Sequence, residues 1–390
     1  MSGYQRICAN INLDAITHNF EQARKKLKPG TKVLAIVKAD GYGHGAMPVA
    51  NALADKADCF GVAIVEEAVE LRENGITKPV LILGYTSPDD YKTILDNELS
   101  LSIFHLDTAR KLSAAAAASG KTAGIHIVVD TGMNRIGFKD DDKSVSQIEE
   151  IARLPFLHIE GLSSHFACAD AADKSCTTNQ IDRFLGFCKK LEQAGVCIPM
   201  KHISNSAGII DLDNHFDMVR LGISLYGLYP SEEVNKQNVS LIPALEWKSR
   251  VVFIKTVESG RGVSYGHTYI TDKPTVVATV PVGYADGYPR ALSSKGRVLI
   301  NGQYAPVIGR VCMDLMMVDA TGIDGLTLEN EVTLVGCENG NRITVEELGS
   351  LSGSFNYEIV CGIAKRVPRV YFRGGRQVFS HSCFPQYANK

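Results

Sequence analysis

The sequence of 390 residues has 10 cysteines but no C-x-x-C pair and no regular cysteine spacing. That excludes the common zinc modules, leaves no metal site expected, and argues against a disulfide framework. No stretch approaches the roughly 20 apolar residues of a membrane span. The charges nearly cancel, 41 basic against 43 acidic residues for a net −2, and no basic stripe stands out. Neither nucleic acid nor a membrane is therefore expected as a partner. The opening residues, MSGYQRICANINL, lack the apolar core of an export signal, so reduced thiols and a cytoplasmic location are expected. A-I-V-K at 35–38 has no accompanying H-R-D or D-F-G triplet, which sets aside a protein kinase. Gly41, Gly43 and Gly45 miss the G-x-G-x-x-G spacing of a dinucleotide loop. D-T-G occurs once, at 130–132, where an aspartic protease needs two carboxylates brought together.

What is present is an alternation. Residues 14–27 pattern as an amphipathic helix, and eight apolar runs follow, at 33–38, 59–64, 80–83, 101–104, 123–129, 156–164, 199–204 and 217–222. Helical stretches such as EEAVELRENG and TTNQIDRFLGFCKKLEQAG separate them. Near-continuous apolar strands alternating with helices predict a parallel sheet covered on both faces, and eight of them predict a (β/α)8 barrel. Beyond SEEVNKQNVSLIP the pattern changes to β-rich segments cut by glycine turns, with one short helix near VEELGSLSG. The expected division is a barrel over 1–240 and a mostly β domain over 241–390.

A barrel of this kind works at the C-terminal ends of its strands. Lys38 ends the first run. Asp130, Asn134 and Arg135 follow the fifth, and His165 follows the sixth. Asn205 and Ser206 follow the seventh, while Arg220 and Gly222 close the eighth. Taken singly, each has a bland reading: Lys38 snorkels to solvent, Arg135 is a surface charge, His165 is a bonded core residue. Those readings do not explain why all fall at one mouth. A lysine there, with a phosphate-type site after the last two strands and no metal signature, points to pyridoxal phosphate. The glycines behind Lys38 then suggest a turn left bare so that a bulky cofactor can lie against it.

AIVKADGYGHGA, VDTGMNRIGF, SSHFACAD, SNSAGI, VRLGISLYG, GVSYGHTY, PVGYADGY, VIGRVCMDLMMVD and NYEIVCGIAKRVPR together resemble the alanine racemases, nearly end to end. The resemblance implies pyridoxal 5'-phosphate, interconversion of L- and D-alanine supplying D-alanine for the cell wall, and a homodimer with composite sites. It makes Lys38 the cofactor-bearing lysine and one catalytic base, and Tyr265 of the other chain the second. Tyr42, Ser206, Gly222, Ile223 and Tyr357 would hold the phosphate. Arg135 would reach the phenolic oxygen, His165 would line the ring, and Arg220 would face the pyridine nitrogen. Met313 and Asp314 would bound the substrate, with Arg135; Asp170, Tyr284, Arg290 and Arg310 match the family's access corridor.

Such chemistry calls for two bases on opposite faces of Cα, because one base would have to swing around the substrate. Ordinary tyrosine and lysine have pKa values of about 10 and 10.4, so nearby cations must lower both. A departure concerns Arg135. Many members of the family carry a carbamate-forming lysine where this chain has Val128, so Asn134 or a bound anion is left to brace that arginine. A serine or broader amino-acid racemase is the nearest rival, and Tyr357 speaks against it by narrowing the pocket.

Overall fold

The structure, a computed structural model, describes residues 5–384. Two compact units divide the described residues, one formed by residues 15–41 and 46–242, the other by residues 5–14, 42–45 and 243–384.

In the first unit all eight expected strands form: Lys32–Ile36, Cys59–Val62, Val80–Ile82, Ser100–Ile103, Ala123–Asp130, Leu157–Ser163, Lys201–His202 and Met218–Leu221. Each of the first six pairs in parallel with the next, and the eighth pairs in parallel with the first, Val219 opposite Val33. Between the seventh and eighth, backbone bonds replace a regular ladder: Asp217 N–H donates to Lys201 O (3.0 Å) and Arg220 N–H to Ser204 O (2.9 Å). The result is a nearly closed barrel of eight parallel strands. Its strands are apolar because both faces are covered; every residue of Cys59–Val62 is buried. Helices fill the connections, and the Asp142–Arg153 helix shows why they form. Asp141 caps it by accepting Ser144 N–H (2.9 Å), while Val145, Ile148 and Ile151 bury one stripe. Helix Ser206–Asp211 is the short connection before the eighth strand, capped by Asn205, which accepts Gly208 N–H at 3.0 Å.

The second unit is mostly β. Its main sheet runs Gln303–Pro306, Arg297–Ile300, Glu331–Glu338, Leu245–Arg250, Ile7–Asn12, Arg369–Arg373, Arg376–His381. Ile7–Asn12 belongs to this sheet, antiparallel to Leu245–Arg250 and parallel to Arg369–Arg373, because both neighbours need its ladder hydrogen bonds. The chain's one tryptophan, Trp247, is fully buried in the same sheet. The expected helix is present at Val345–Ser352, and a second, Asn356–Cys361, follows it.

Candidate active site

The first barrel strand ends at Ile36, and Lys38 opens an unusual turn. Ala39, Asp40 and Gly41 are all left-handed (φ/ψ near 52/48, 51/51 and 59/44), Tyr42 follows at φ 52, and Gly41 N–H closes the turn on Val37 O at 2.8 Å. A left-handed helical conformation costs a non-glycine residue about 1–2 kcal/mol, so the turn must be held from outside. Glu67 holds it, its two oxygens accepting Ala39 N–H (2.6 Å) and Ala63 N–H (2.8 Å); Asp40 accepts Ala46 N–H at 2.8 Å. Two of the glycines have protein packed closely against them. A β-carbon on Gly43 would lie 2.2 Å from Val360 O, and one on Gly45 would lie 2.0 Å from the Tyr371 hydroxyl. They make room for protein.

At the ends of the sixth to eighth strands, Arg220 is buried with no carboxylate on its guanidinium among the described residues. Nη1 donates to His202 Nδ1 (2.8 Å) and His202 O (3.2 Å); Nη2 lies against Ser164 O (2.6 Å), Ile203 O (3.0 Å) and His165 Nδ1 (2.9 Å). Burial, with the charge of Arg135, lowers the Arg220 pKa to about 10. Burial also pushes His165 well below its ordinary 6.5, and the cations Arg220, Arg135 and Lys38 push it further the same way. Three of the expected basic residues thus converge on one neutral imidazole. Gln180 fixes the loop carrying it, donating to His165 O (2.9 Å) and Thr131 Oγ1 (3.3 Å). After the seventh strand, Ser206 Oγ accepts Gly222 N–H (3.0 Å) and Ser224 N–H (3.3 Å), with Ile223 buried between them. Asp170 sits on a loop pinned by Ser231, whose hydroxyl donates to Asp170 O at 2.7 Å.

Arg135 is exposed beside Val128 and His165, which line a cavity of about 60 Å³ with it. Asn134 does not brace it. The Asn134 side-chain amide lies 3.5 Å from Gly132 O, and its backbone is turned to Asp130 in a left-handed conformation.

The second unit brings together further expected residues. The rings of Tyr42 and Tyr357 have centroids 6.1 Å apart. Burial, with Cys361 nearby, pushes the Tyr42 hydroxyl pKa upward, so it stays a neutral donor. Tyr265 is 70 % exposed at the start of a short 3-10 turn, after Ser264, which donates to Arg310 O at 2.6 Å. The Arg310 guanidinium lies beside Gly266. Tyr284 N–H donates to Cys312 O and Ala285 N–H to Met313 O, both at 3.0 Å, which ties the Tyr284 turn to the Met313 segment. Asp314 accepts Arg366 Nη2 at 2.7 Å, and Arg290 opens a separate 3-10 turn. Lys38 and Tyr265 belong to different units.

Two family models match this chain: "Alanine racemase, N-terminal domain" over residues 11–230 and "Alanine racemase, C-terminal domain" over 244–371. The chain belongs to the alanine racemase family. It is 46 % identical over 367 residues to the alanine racemase of Desulforamulus reducens, covering 94 % of this chain and 98 % of the relative. Identity to the Clostridium tetani alanine racemase is 44 % over 375 residues, 95 % and 97 % of the two chains. Among solved structures, the alanine racemase of Clostridium difficile 630 superimposes with a TM-score of 0.93 at 40 % identity, over 98 % of this chain and 99 % of that one. That of Bacillus anthracis with bound L-Ala-P gives 0.93 at 35 % identity, over 99 % and 100 %.

Beside these family motifs, two residues went unremarked in the sequence. His202 accepts Arg220 directly, and its only local signal is a polar residue in the run PMKHIS. Ser224 has a buried hydroxyl with no partner among the described residues, in the motif VRLGISLYG. Among the described residues no helix is long and apolar enough to cross a membrane, and no acidic, His or Cys cluster could hold a metal.

Proposed function

We propose that this chain interconverts L- and D-alanine with pyridoxal phosphate, using Lys38 and the Tyr265 of a partner copy as bases on opposite faces of Cα. The observation that carries the reading is the gathering of Lys38, Arg135 and Arg220 around the neutral imidazole of His165. The buried Ser224 hydroxyl, left without a partner beside Ser206, suits a phosphate oxygen. Tyr42, kept neutral by burial, and the Tyr357 ring beside it are assigned to the same group. The residues present therefore fit the cofactor.

When bound, pyridoxal phosphate supplies a carbonyl for the substrate amine and a conjugated ring that spreads the electron pair left at Cα. Lys38 would carry the cofactor and would take or return the Cα proton on the D-alanine side. Tyr265 of the partner would do so on the L-alanine side. Arg220 would face the ring nitrogen. Because a guanidinium keeps its own protons, the ring would remain a weak electron sink and side reactions at other carbons would be discouraged. Arg135 would hold the phenolic oxygen. Met313 and Asp314 bound the pocket, and Asp170, Tyr284, Arg290 and Arg310 line the way in. A homodimer with composite sites agrees with the exposure of Tyr265, Met313 (54 %) and Tyr284 (42 %) in the single chain. We place the enzyme in the cytoplasm, feeding D-alanine to peptidoglycan.

The test is racemisation of alanine and of serine, side by side, with and without pyridoxal phosphate. Alanine turnover that depends on the cofactor and exceeds serine turnover is expected. Borohydride reduction of the loaded protein should leave a pyridoxyl group on the Lys38 peptide. A label on another lysine, or serine as the better substrate, would overturn the corresponding part of the reading.

A further inference from the structure

Arg220 is a buried cation whose nearest acceptors are all neutral. A guanidinium only donates, so His202 accepts from it at Nδ1 and carries its own proton on Nε2. That Nε2 lies 2.9 Å from His126 Nδ1. His126 must then accept at Nδ1 and carry its proton on Nε2. His126 Nε2 lies 3.5 Å from Glu160 Oε2, which also accepts the Ser100 hydroxyl at 2.7 Å. The donors all point one way, from the guanidinium at the end of the eighth strand to a carboxylate beside the residue that opens the fourth.

Two further features keep this chain intact. A β-carbon on Gly161 would fall 2.4 Å from His126 Nδ1, and one on Gly124 would fall 2.4 Å from Glu160 Oε1. Neither glycine has a positive φ, so each supplies room and not backbone freedom. The pairing of the fifth and sixth strands also slips at this point. Ile125 faces Ile159 and His126 faces Gly161, which leaves Glu160 as the extra residue of a bulge. Bulges re-aim a side chain, and this one carries the carboxylate that ends the chain.

We propose that Glu160, acting through His126 and His202, is the remote counter-charge that holds Arg220 and damps its charge at the barrel mouth, which makes Glu160 and His126 positioning residues. The inference deepens the proposed function and rests on it only for what Arg220 faces. The chain is electrostatic and moves no proton to the site, because Arg220 does not give one up. Burial alone would raise the Glu160 pKa, but the hydrogen bonds from His126 and Ser100 outweigh it and hold the group below its ordinary value. Burial, then Arg220 and His126, keep His202 neutral.

The test is ¹⁵N NMR of the histidine and arginine side chains in the full chain, with and without pyridoxal phosphate, for the wild type and Glu160→Gln. In the wild type both His126 and His202 should be neutral with the proton on Nε2. Either one as the Nδ1–H tautomer or as imidazolium overturns the proposal, and this measurement needs no variant to fold. In Glu160→Gln the shifts should change at His126, at His202 and at Arg220 Nε. In the loaded enzyme kcat should fall about threefold to tenfold with KM unchanged. Changes that stop at His126 overturn the proposal, since a merely local packing role would give that result. Should Glu160→Gln not fold, Gly161→Ala, which crowds His126 Nδ1, must give the same propagation to Arg220 Nε; a shift confined to His126 there also overturns it. If the shifts reach Arg220 but the wild type racemises no amino acid, the proposed function fails and this inference stands.

Discussion

The Nδ1 of His165 lies 2.9 Å from Nη2 of Arg220, so the imidazole accepts from a cation and must be neutral there. Its proton belongs on Nε2. The same holds for His202, and His215 is buried neutral as well, its pKa lowered to about 4 by burial and then by Lys26.

Acid should therefore destabilise the barrel unit before carboxylates titrate. Each of these histidines has a folded pKa below its unfolded value near 6.5, so the unfolded chain binds protons that the folded one refuses. The stability they contribute is fully present above about pH 6.5. It is lost as pH falls toward the folded values, at about 1.4 kcal/mol per pH unit for each group. Urea unfolding of the cofactor-free chain between pH 7 and 4.5 should show this slope, and His215→Asn should make it shallower. A flat profile down to pH 5 would contradict it.

Gly43→Ala should be much more harmful than Gly30→Ala. Both glycines have positive φ, 78 and 89, but a β-carbon on Gly43 meets Val360 O at 2.2 Å, while nothing lies within 4 Å of one on Gly30. Gly30→Ala should cost about 1 kcal/mol from its backbone alone. Gly43→Ala adds a steric clash with backbone and should cost at least about 2 kcal/mol more. Equal midpoints in thermal melts of the two variants would show that the 42–45 turn is not packed as described.

Arg220→Glu should lower alanine racemisation by at least about tenfold and raise the formation of pyruvate from L-alanine. A carboxylic acid can protonate a pyridine nitrogen where the guanidinium cannot, and a stronger electron sink favours transamination. The variant also removes a donor from His202, His165 and three carbonyls, so a lower melting temperature is expected with it. Pyruvate formation unchanged from wild type would place Arg220 away from the ring nitrogen.

Complementation tests the composite site. Lys38→Ala and Tyr265→Ala homodimers should each lose activity in at least one direction. After subunit exchange, random pairing makes about half the dimers mixed, and each mixed dimer has one doubly damaged and one intact site. About a quarter of all sites should then recover. No recovery after exchange verified by mass spectrometry would mean that both bases act within one chain.

The sequence by itself determined the eight barrel strands and the residues at their ends. Strand after strand is a short apolar run, as in VLIL at 80–83, and that signal is local, so it survives without coordinates. Lys38, His165, Ser206 and Arg220 were legible for the same reason, as polar residues that close such runs. What the tertiary structure decided depended on partners far away in the chain. ICANIN alternates like any strand, and only its pairing with Leu245–Arg250 and Arg369–Arg373 assigns it to the second unit. A glycine-rich turn behind a lysine does not reveal its left-handed path or that Val360 and Tyr371 fill the space beside it. His126 reads as an odd polar residue inside AGIHIVV. Its meaning came from His202 on the seventh strand and Glu160 on a bulge of the sixth, because a buried imidazole is defined by the donors and acceptors that the fold brings to its two nitrogens.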